Sequence, residues 1–151
     1  MADYRIETTG EYDRLVQFFV VNGLEFDGDE EVDTDIVKCW KAVSAKEQNG
    51  KTLIGGCVLA LRQGKYIIDG IAVDENFRKE NIGREMMDTA VAEIRKRDGR
   101  ELFLVARAPG FFRRLGFEAV SPDNAPLFFE CAQCPQYKKT CYPEIMRLEI
   151  K

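Results

Sequence analysis

The apolar positions of this chain fall into short segments separated by polar, glycine-containing stretches. Residues 3–8 (Asp-Tyr-Arg-Ile-Glu-Thr) read as a first strand. Thr8-Thr9-Gly10-Glu11 has the form of a capping box, with Thr8 as the cap and Glu11 reaching back. The helix that follows carries Leu15, Phe18, Phe19 and Asn22 on one face, and Gly23 is its expected stop. An acidic loop, Glu25–Asp33, leads to a second predicted helix over 34–47, closed by Gln48-Asn49-Gly50. Thr52–Leu61 and Tyr66–Val73 are strand-like runs flanking Arg62-Gln63-Gly64-Lys65, which predicts a hairpin. Gly55-Gly56 inside the first run predicts a bulge or a close backbone approach. From Ile82 to Arg97 the residues Ile82, Met86, Ala90 and Ile94 recur at helical spacing. Lys96, Arg97 and Arg100 suit the end of that helix, and Gly99 is its expected terminator. Glu101–Ala106 reads as a strand, Phe111–Leu115 as a short helix ended by Gly116, and Phe117–Val120 and Ile145–Ile150 as strands. The order β-α-α-β-β-α-β-α-β-β predicts an α+β, mixed α/β layer structure.

No repeat, linker or low-complexity stretch divides the 151 residues, so 1–151 is expected to be one domain with a single core. Apolar residues at 45% and charged residues at 32% fit an ordinary globular protein. Every apolar stretch is far shorter than the roughly 18 residues that span a bilayer, and the first residues lack a signal-peptide pattern. The expectation is a cytoplasmic protein with no membrane partner. A net charge of −4 disfavours a general nucleic-acid partner, which needs a basic surface. Basic residues are nonetheless dense at Arg78–Arg84, Arg95–Arg100 and Arg113–Arg114, either as solvated helix faces or as a frame for an anion. The chain contains no histidine. Ser-His-Asp and Cys-His catalysis, a histidine base and histidine metal sites are therefore excluded.

The strand ending at Val73 runs through a loop directly into the helix that begins at Ile82. A helix N-terminus presents backbone N–H groups and a partial positive charge, which suits phosphate. The loop adds Arg78, Lys79 and Arg84. Gly83 lets a ligand approach the backbone, and Asn81 tolerates a left-handed conformation. Taken alone, this is also how an ordinary capped helix begins.

Ile71-Ala72-Val73-Asp74-Glu75-Asn76-Phe77-Arg78-Lys79-Glu80-Asn81-Ile82-Gly83 resembles the central motif of the GCN5-related N-acetyltransferase family, Gln/Arg-x-x-Gly-x-Gly/Ala after an Ala-Val-like strand end. Arg78, Asn81 and Gly83 fill the marked positions, with Asn81 in place of the usual glycine. Ala108-Pro109-Gly110-Phe111-Phe112-Arg113-Arg114-Leu115-Gly116-Phe117 resembles the family's later Ala-x-x-Phe-Tyr-x-x-x-Gly-Phe segment. The resemblance covers about residues 3–120. It implies a curved mixed sheet, splayed at its centre with flanking helices, that takes acetyl-CoA as cosubstrate. The pantetheine arm would bond to the backbone at Ile71, Ala72 and Val73. The pyrophosphate would meet Arg78, Lys79, Glu80, Asn81, Ile82, Gly83 and Arg84, with Phe111 and Phe112 completing the site.

The implied reaction is attack of a neutral amine on the thioester, helped by positioning and by backbone N–H groups near Val73. Phe112 stands where many members have the tyrosine that protonates the thiolate, and Ile67 where many have a glutamate. Asp69, two residues on and so on the same strand face, is the base candidate, with a structural carboxylate as the alternative. Phe111-Phe112 preceded by Arg107 also resembles amino-acid N-acetyltransferases of the N-acetylglutamate synthase type. That would make the acceptor a small-molecule amine or free amino acid, with Arg107 available for its carboxylate. A catalytically silent acyl-CoA-binding module or a metal- or redox-sensing module on the same fold is the competing expectation, and a homodimer the expected assembly.

Residues 121–144 form a cysteine-containing insert. Cys131, Cys134 and Cys141 have knuckle-like spacing, open to three readings: a Zn or iron–sulfur site, a disulfide, or a loop of reduced thiols. A metal site would need a fourth ligand such as Cys39, Cys57 or a carboxylate.

Overall fold

The computed structural model describes residues 4–21, 34–44, 52–62, 64–75, 77, 81–106, 109–120 and 144–150. The elements in chain order are β1 (Tyr4–Thr8), α1 (Tyr12–Val21), β2 (Thr34–Ser44), β3 (Leu53–Arg62), β4 (Lys65–Val73), α2 (Ile82–Lys96), β5 (Glu101–Ala106), α3 (Pro109–Arg114), β6 (Glu118–Ala119) and β7 (Glu144–Glu149). The strands form one mixed sheet in the order β1-β2-β3-β4-β5-β7-β6. All adjacent pairs are antiparallel except β4 and β5, which are parallel.

The helix predicted over 34–47 is a strand. Thr34–Ser44 pairs with β1 on one side and with β3 on the other. Ile36, Cys39, Trp40 and Val43 do recur at the spacing of a helical face. In this strand the recurrence has another cause, because both faces of the sheet are covered. Trp40 and Ala42 face one core and Cys39 the other, so the strand shows no alternation of polar and apolar positions.

α1 and α2 lie on opposite faces of the sheet, and the adjacent glycines of β3 show it directly. A Cβ on Gly55 would stand 3.1 Å from Ile82 and 3.2 Å from Met86 of α2. A Cβ on Gly56 would stand 2.8 Å from Leu15 and 3.3 Å from Phe19 of α1. The expected close approach therefore occurs on both faces, next to a register shift opposite Ala42 and Val43. The larger core joins Trp40, Ile54, Leu59, Ile68, Leu102 and Met146 to Ile82, Met86, Ala90 and Ile94 of α2. A smaller one on the α1 face joins Leu15 and Phe19 to Cys39 and Val58.

Two predicted helix boundaries shift by one residue. Thr8 is held in the β1–β2 ladder opposite Trp40, so the hydroxyl at the α1 start is that of Thr9, which accepts from Glu11 N at 3.1 Å. The Glu11 carboxylate does not reach back; it accepts from Arg14 and Lys41 instead. At the end of α2 the left-handed residue is Asp98 (φ 62°), not Gly99. Asp98 N donates to Arg95 O and Gly99 N to Ile94 O, a Schellman closure. Gly99 serves a steric need, since a Cβ there would lie 2.4 Å from Ile94 and 2.8 Å from Tyr66. The hairpin prediction holds, with Arg62 paired to Lys65 and Gly64 at φ 77°.

Candidate functional site

The sheet opens at its centre. β4 is in register with β3 from Lys65 to Val73, yet its parallel register with β5 consists of one pair, Ile67 with Phe103. Beyond that pair residues 68–73 of β4 and 104–106 of β5 are not paired with each other, which leaves an unpaired, wedge-like seam between the two strands. A twisted sheet broken in this way keeps a strand edge with backbone donors and acceptors directed into the gap.

On the α2 face, three distant segments converge at the mouth of the wedge. Gly83, in the first turn of α2, lies against Val73 at the end of β4 and Phe111 of α3. A Cβ at Gly83 would be 3.2 Å from the Phe111 ring and 3.6 Å from the Val73 side chain. Phe111 stacks edge-on against Phe112 at 5.1 Å, and Phe112 against Phe117 at 5.8 Å, anchoring α3 to the main core. Asn81 has the left-handed backbone expected of it, φ 63° and ψ 16°. The first helical backbone bond of α2 runs from Glu85 N to Asn81 O at 3.0 Å. The N–H groups of Ile82, Gly83 and Arg84 therefore precede the helical ladder. Asn81 and Arg84 are exposed, whereas Ile82 is fully buried under Gly55. Arg78, Lys79, Glu80 and Arg107 lie outside the described residues. The basic stretch at the far end of α2 is a solvated face: Arg95, Lys96 and Arg97 are exposed, and Arg97 pairs with Glu93 at 2.7 Å.

On the α1 face β4 carries Asp69. The β3–β4 register jumps there, with Val58 opposite Gly70 and Leu59 opposite Ile68. Asp69 is thus the extra residue of a bulge, which re-aims side chains locally. Ile68 and Ile71 pack in the α2-side core. Between them, Asp69 and Gly70 both face α1. The Asp69 carboxylate accepts from the Tyr12 hydroxyl at 3.4 Å, and a Cβ on Gly70 would lie 2.6 Å from Phe19. Its other oxygen is 3.6 Å from the Arg62 guanidinium. Both partners are buried, with side chains 7% and 2% exposed. Ile67 shares that face, packed with Ala60 and Phe103. Arg62 and Tyr12 were not singled out in the sequence. Their signal was weak: a lone arginine ending an apolar strand and a tyrosine opening a helix.

Phe112 is part of the aromatic stack and brings no acid, as its chemistry required. Cys131, Cys134 and Cys141 lie outside the described residues. Among the described residues there is no group of three or more metal-ligating side chains. Cys39 and Cys57 are poor candidates to complete a metal site. Both are buried in the sheet, and burial pushes both thiols up, Cys57 most strongly, which disfavours the thiolate that binds metal. Among the described residues no helix is long and apolar enough to cross a membrane.

Residues 38–119 match the family model described as Acetyltransferase (GNAT) domain, and the chain belongs to that family. An uncharacterized N-acetyltransferase from Chlorobaculum tepidum is 31% identical over 87 residues, which is 56% of this chain and 56% of that protein. The chain thus matches about half the length of this curated relative. Among solved structures, a GNAT-family acetyltransferase from Staphylococcus aureus superposes with a TM-score of 0.69 at 14% identity, covering 98% of this chain and 99% of that one. N-acetylglutamate synthase from Neisseria gonorrhoeae superposes with the same TM-score, 0.69, at 15% identity, covering 100% of this chain and 36% of that one. At these identities the likeness is one of fold: the splayed mixed sheet with its helices on both faces.

Proposed function

We propose that the protein is an N-acetyltransferase that moves an acetyl group from acetyl-CoA to a primary amine. The observation that carries this reading is the wedge between β4 and β5, with the α2 N-terminus, Gly83 and Phe111 at its mouth. The edge of β4 at Ile71, Ala72 and Val73 offers an extended arm a strand to pair with. The backbone donors of Ile82, Gly83 and Arg84, with Asn81 and the preceding Arg78, Lys79 and Glu80, suit a pyrophosphate. Phe111, beside Gly83, and its stacking partner Phe112 would complete the site. A thioester delivered from the α2 side emerges at the β4 bulge, where Asp69 faces α1.

Asp69 then receives the proton of the incoming ammonium, directly or through one water. The freed amine attacks the thioester carbonyl, whose developing charge is met by backbone N–H groups near Val73. The nitrogen–acyl bond forms, the carbon–sulfur bond breaks, the remaining excess proton on the former amine passes to water, and the sulfur leaves as thiolate, since Phe112 has no proton to give. The finer reading is the α-amino group of a free amino acid, with Arg107 as the partner of its carboxylate. It is supported by the Arg107 and Phe111-Phe112 pattern.

The test is thiol release from acetyl-CoA across a panel of amines and free amino acids. Acceptor-dependent release is expected, with turnover on at least one primary amine. Acetyl-CoA binding without turnover on any acceptor would favour a silent binding module instead.

A further inference from the structure

One buried charge takes no part in the reaction outlined above. Arg62 closes β3 with its side chain only 2% exposed. A guanidinium removed from water is costly unless it is paired. Its partner, Asp69, is the residue that the β4 bulge turns out of the regular alternation, and Tyr12 of α1 meets the other carboxylate oxygen. We infer that Arg62 and Tyr12 are positioning residues: they fix the Asp69 carboxylate at the wedge and hold it ionised for a protonated amine. This rests on Asp69 being the proton acceptor.

Around Asp69, α1 brings Tyr12, which donates a hydrogen bond. β2 brings Cys39, whose thiol is pushed up by burial first and by the Asp69 charge second, and so stays neutral. β3 brings the guanidinium of Arg62. β5 brings Phe103, apolar, beside Ile67. Arg62 supplies a full positive charge beside the carboxylate, and an adjacent cation favours the carboxylate form. Gly70 leaves the neighbouring space to Phe19, so the bulge presents the carboxylate and no second side chain. A carboxylate held in this state attracts an ammonium. When the ammonium N–H breaks and the Asp69 O–H forms, the facing guanidinium favours passing that proton on to water.

The inference is tested without any acceptor by carbon-13 NMR titration of the aspartate carboxyls in the full chain. The Asp69 signal is assigned by its loss in Arg62→Met/Asp69→Asn, which removes both buried charges together. In Arg62→Met the Asp69 midpoint is expected to rise by about one pH unit or more, a tenfold gain in proton affinity. Tyr12→Phe should raise it less. An unmoved midpoint in Arg62→Met overturns the inference. If that variant does not fold, Arg62→Gln is the substitute: it removes the charge but keeps a polar side chain, so the midpoint should still rise, and no change overturns the inference equally.

The role of Asp69 itself is read separately, by acceptor-dependent thiol release. Arg62→Met/Asp69→Asn should be at least about tenfold slower than Arg62→Met. Equal rates would remove Asp69 from the reaction while leaving the titration result standing.

Discussion

The two faces of the sheet at the wedge are built from different materials. On the α2 face the candidate contacts are backbone groups, exposed by small or left-handed residues at a chain turn: Asn81 at φ 63°, Gly83, and the amides of the first helical turn. On the α1 face they are side chains brought together from α1, β3 and β4: half-buried Tyr12, and Arg62 and Asp69 with their side chains buried. A backbone site tolerates many side chains and binds a common group such as pyrophosphate. A buried side-chain cluster is intolerant of change, and it is where selectivity for the acceptor can reside.

That difference makes stability predictions of unequal size. Asp69→Asn removes the carboxylate that faces the buried Arg62 guanidinium and is expected to cost about 3–5 kcal/mol. Arg62→Met/Asp69→Asn should recover most of the loss, as read by urea unfolding. A loss under about 1 kcal/mol for the single variant would mean that the pair is solvated and the contrast between the faces false. Asn81→Ala should cost about 1–2 kcal/mol, because alanine resists the left-handed turn, whereas Asn81→Gly should be neutral or slightly stabilising. An Asn81→Ala protein as stable as the parent would show that the turn is not held.

The smallest effect is expected away from both faces. Glu101 bridges Lys65 and Arg147, each at 2.8 Å, and these hydrogen bonds, Lys65 first, hold its carboxyl below the ordinary value. With the folded value depressed, the stabilisation is present above the unfolded carboxyl pKa and is lost as pH falls through the folded one. Glu101→Gln should therefore cost at most about 1 kcal/mol at pH 7, with the difference vanishing once pH has fallen below the depressed folded pKa. A difference that persists in acid would mean the glutamate acts by packing instead of charge.

The contrast also explains what the sequence could reveal. The α2 face was legible because its determinants are local: a strand, a turn with Asn81 and Gly83, then a periodic helix, all within residues 66–97. The α1 face was legible only in Asp69. Tyr12 and Asp69 are 57 positions apart, and the bulge that turns Asp69 and Gly70 to one side follows from pairing with β3, not from local propensity. β2 was misread for a related reason. A strand buried on both faces shows apolar residues at every spacing, including the helical one, and only its neighbours in the sheet decide.

The central claim is that acetyl-CoA enters the wedge along β4 and rests its pyrophosphate on the α2 N-terminus. Isothermal titration of the full chain with acetyl-CoA, alongside Gly83→Val, tests it most directly. The parent should give saturable heat at sub-millimolar ligand. The variant, whose added side chain crowds Phe111 and the backbone at that turn, should bind at least about tenfold more weakly, or 1.4 kcal/mol. No saturable heat from the parent at millimolar acetyl-CoA, or equal affinity in the variant, would contradict the account.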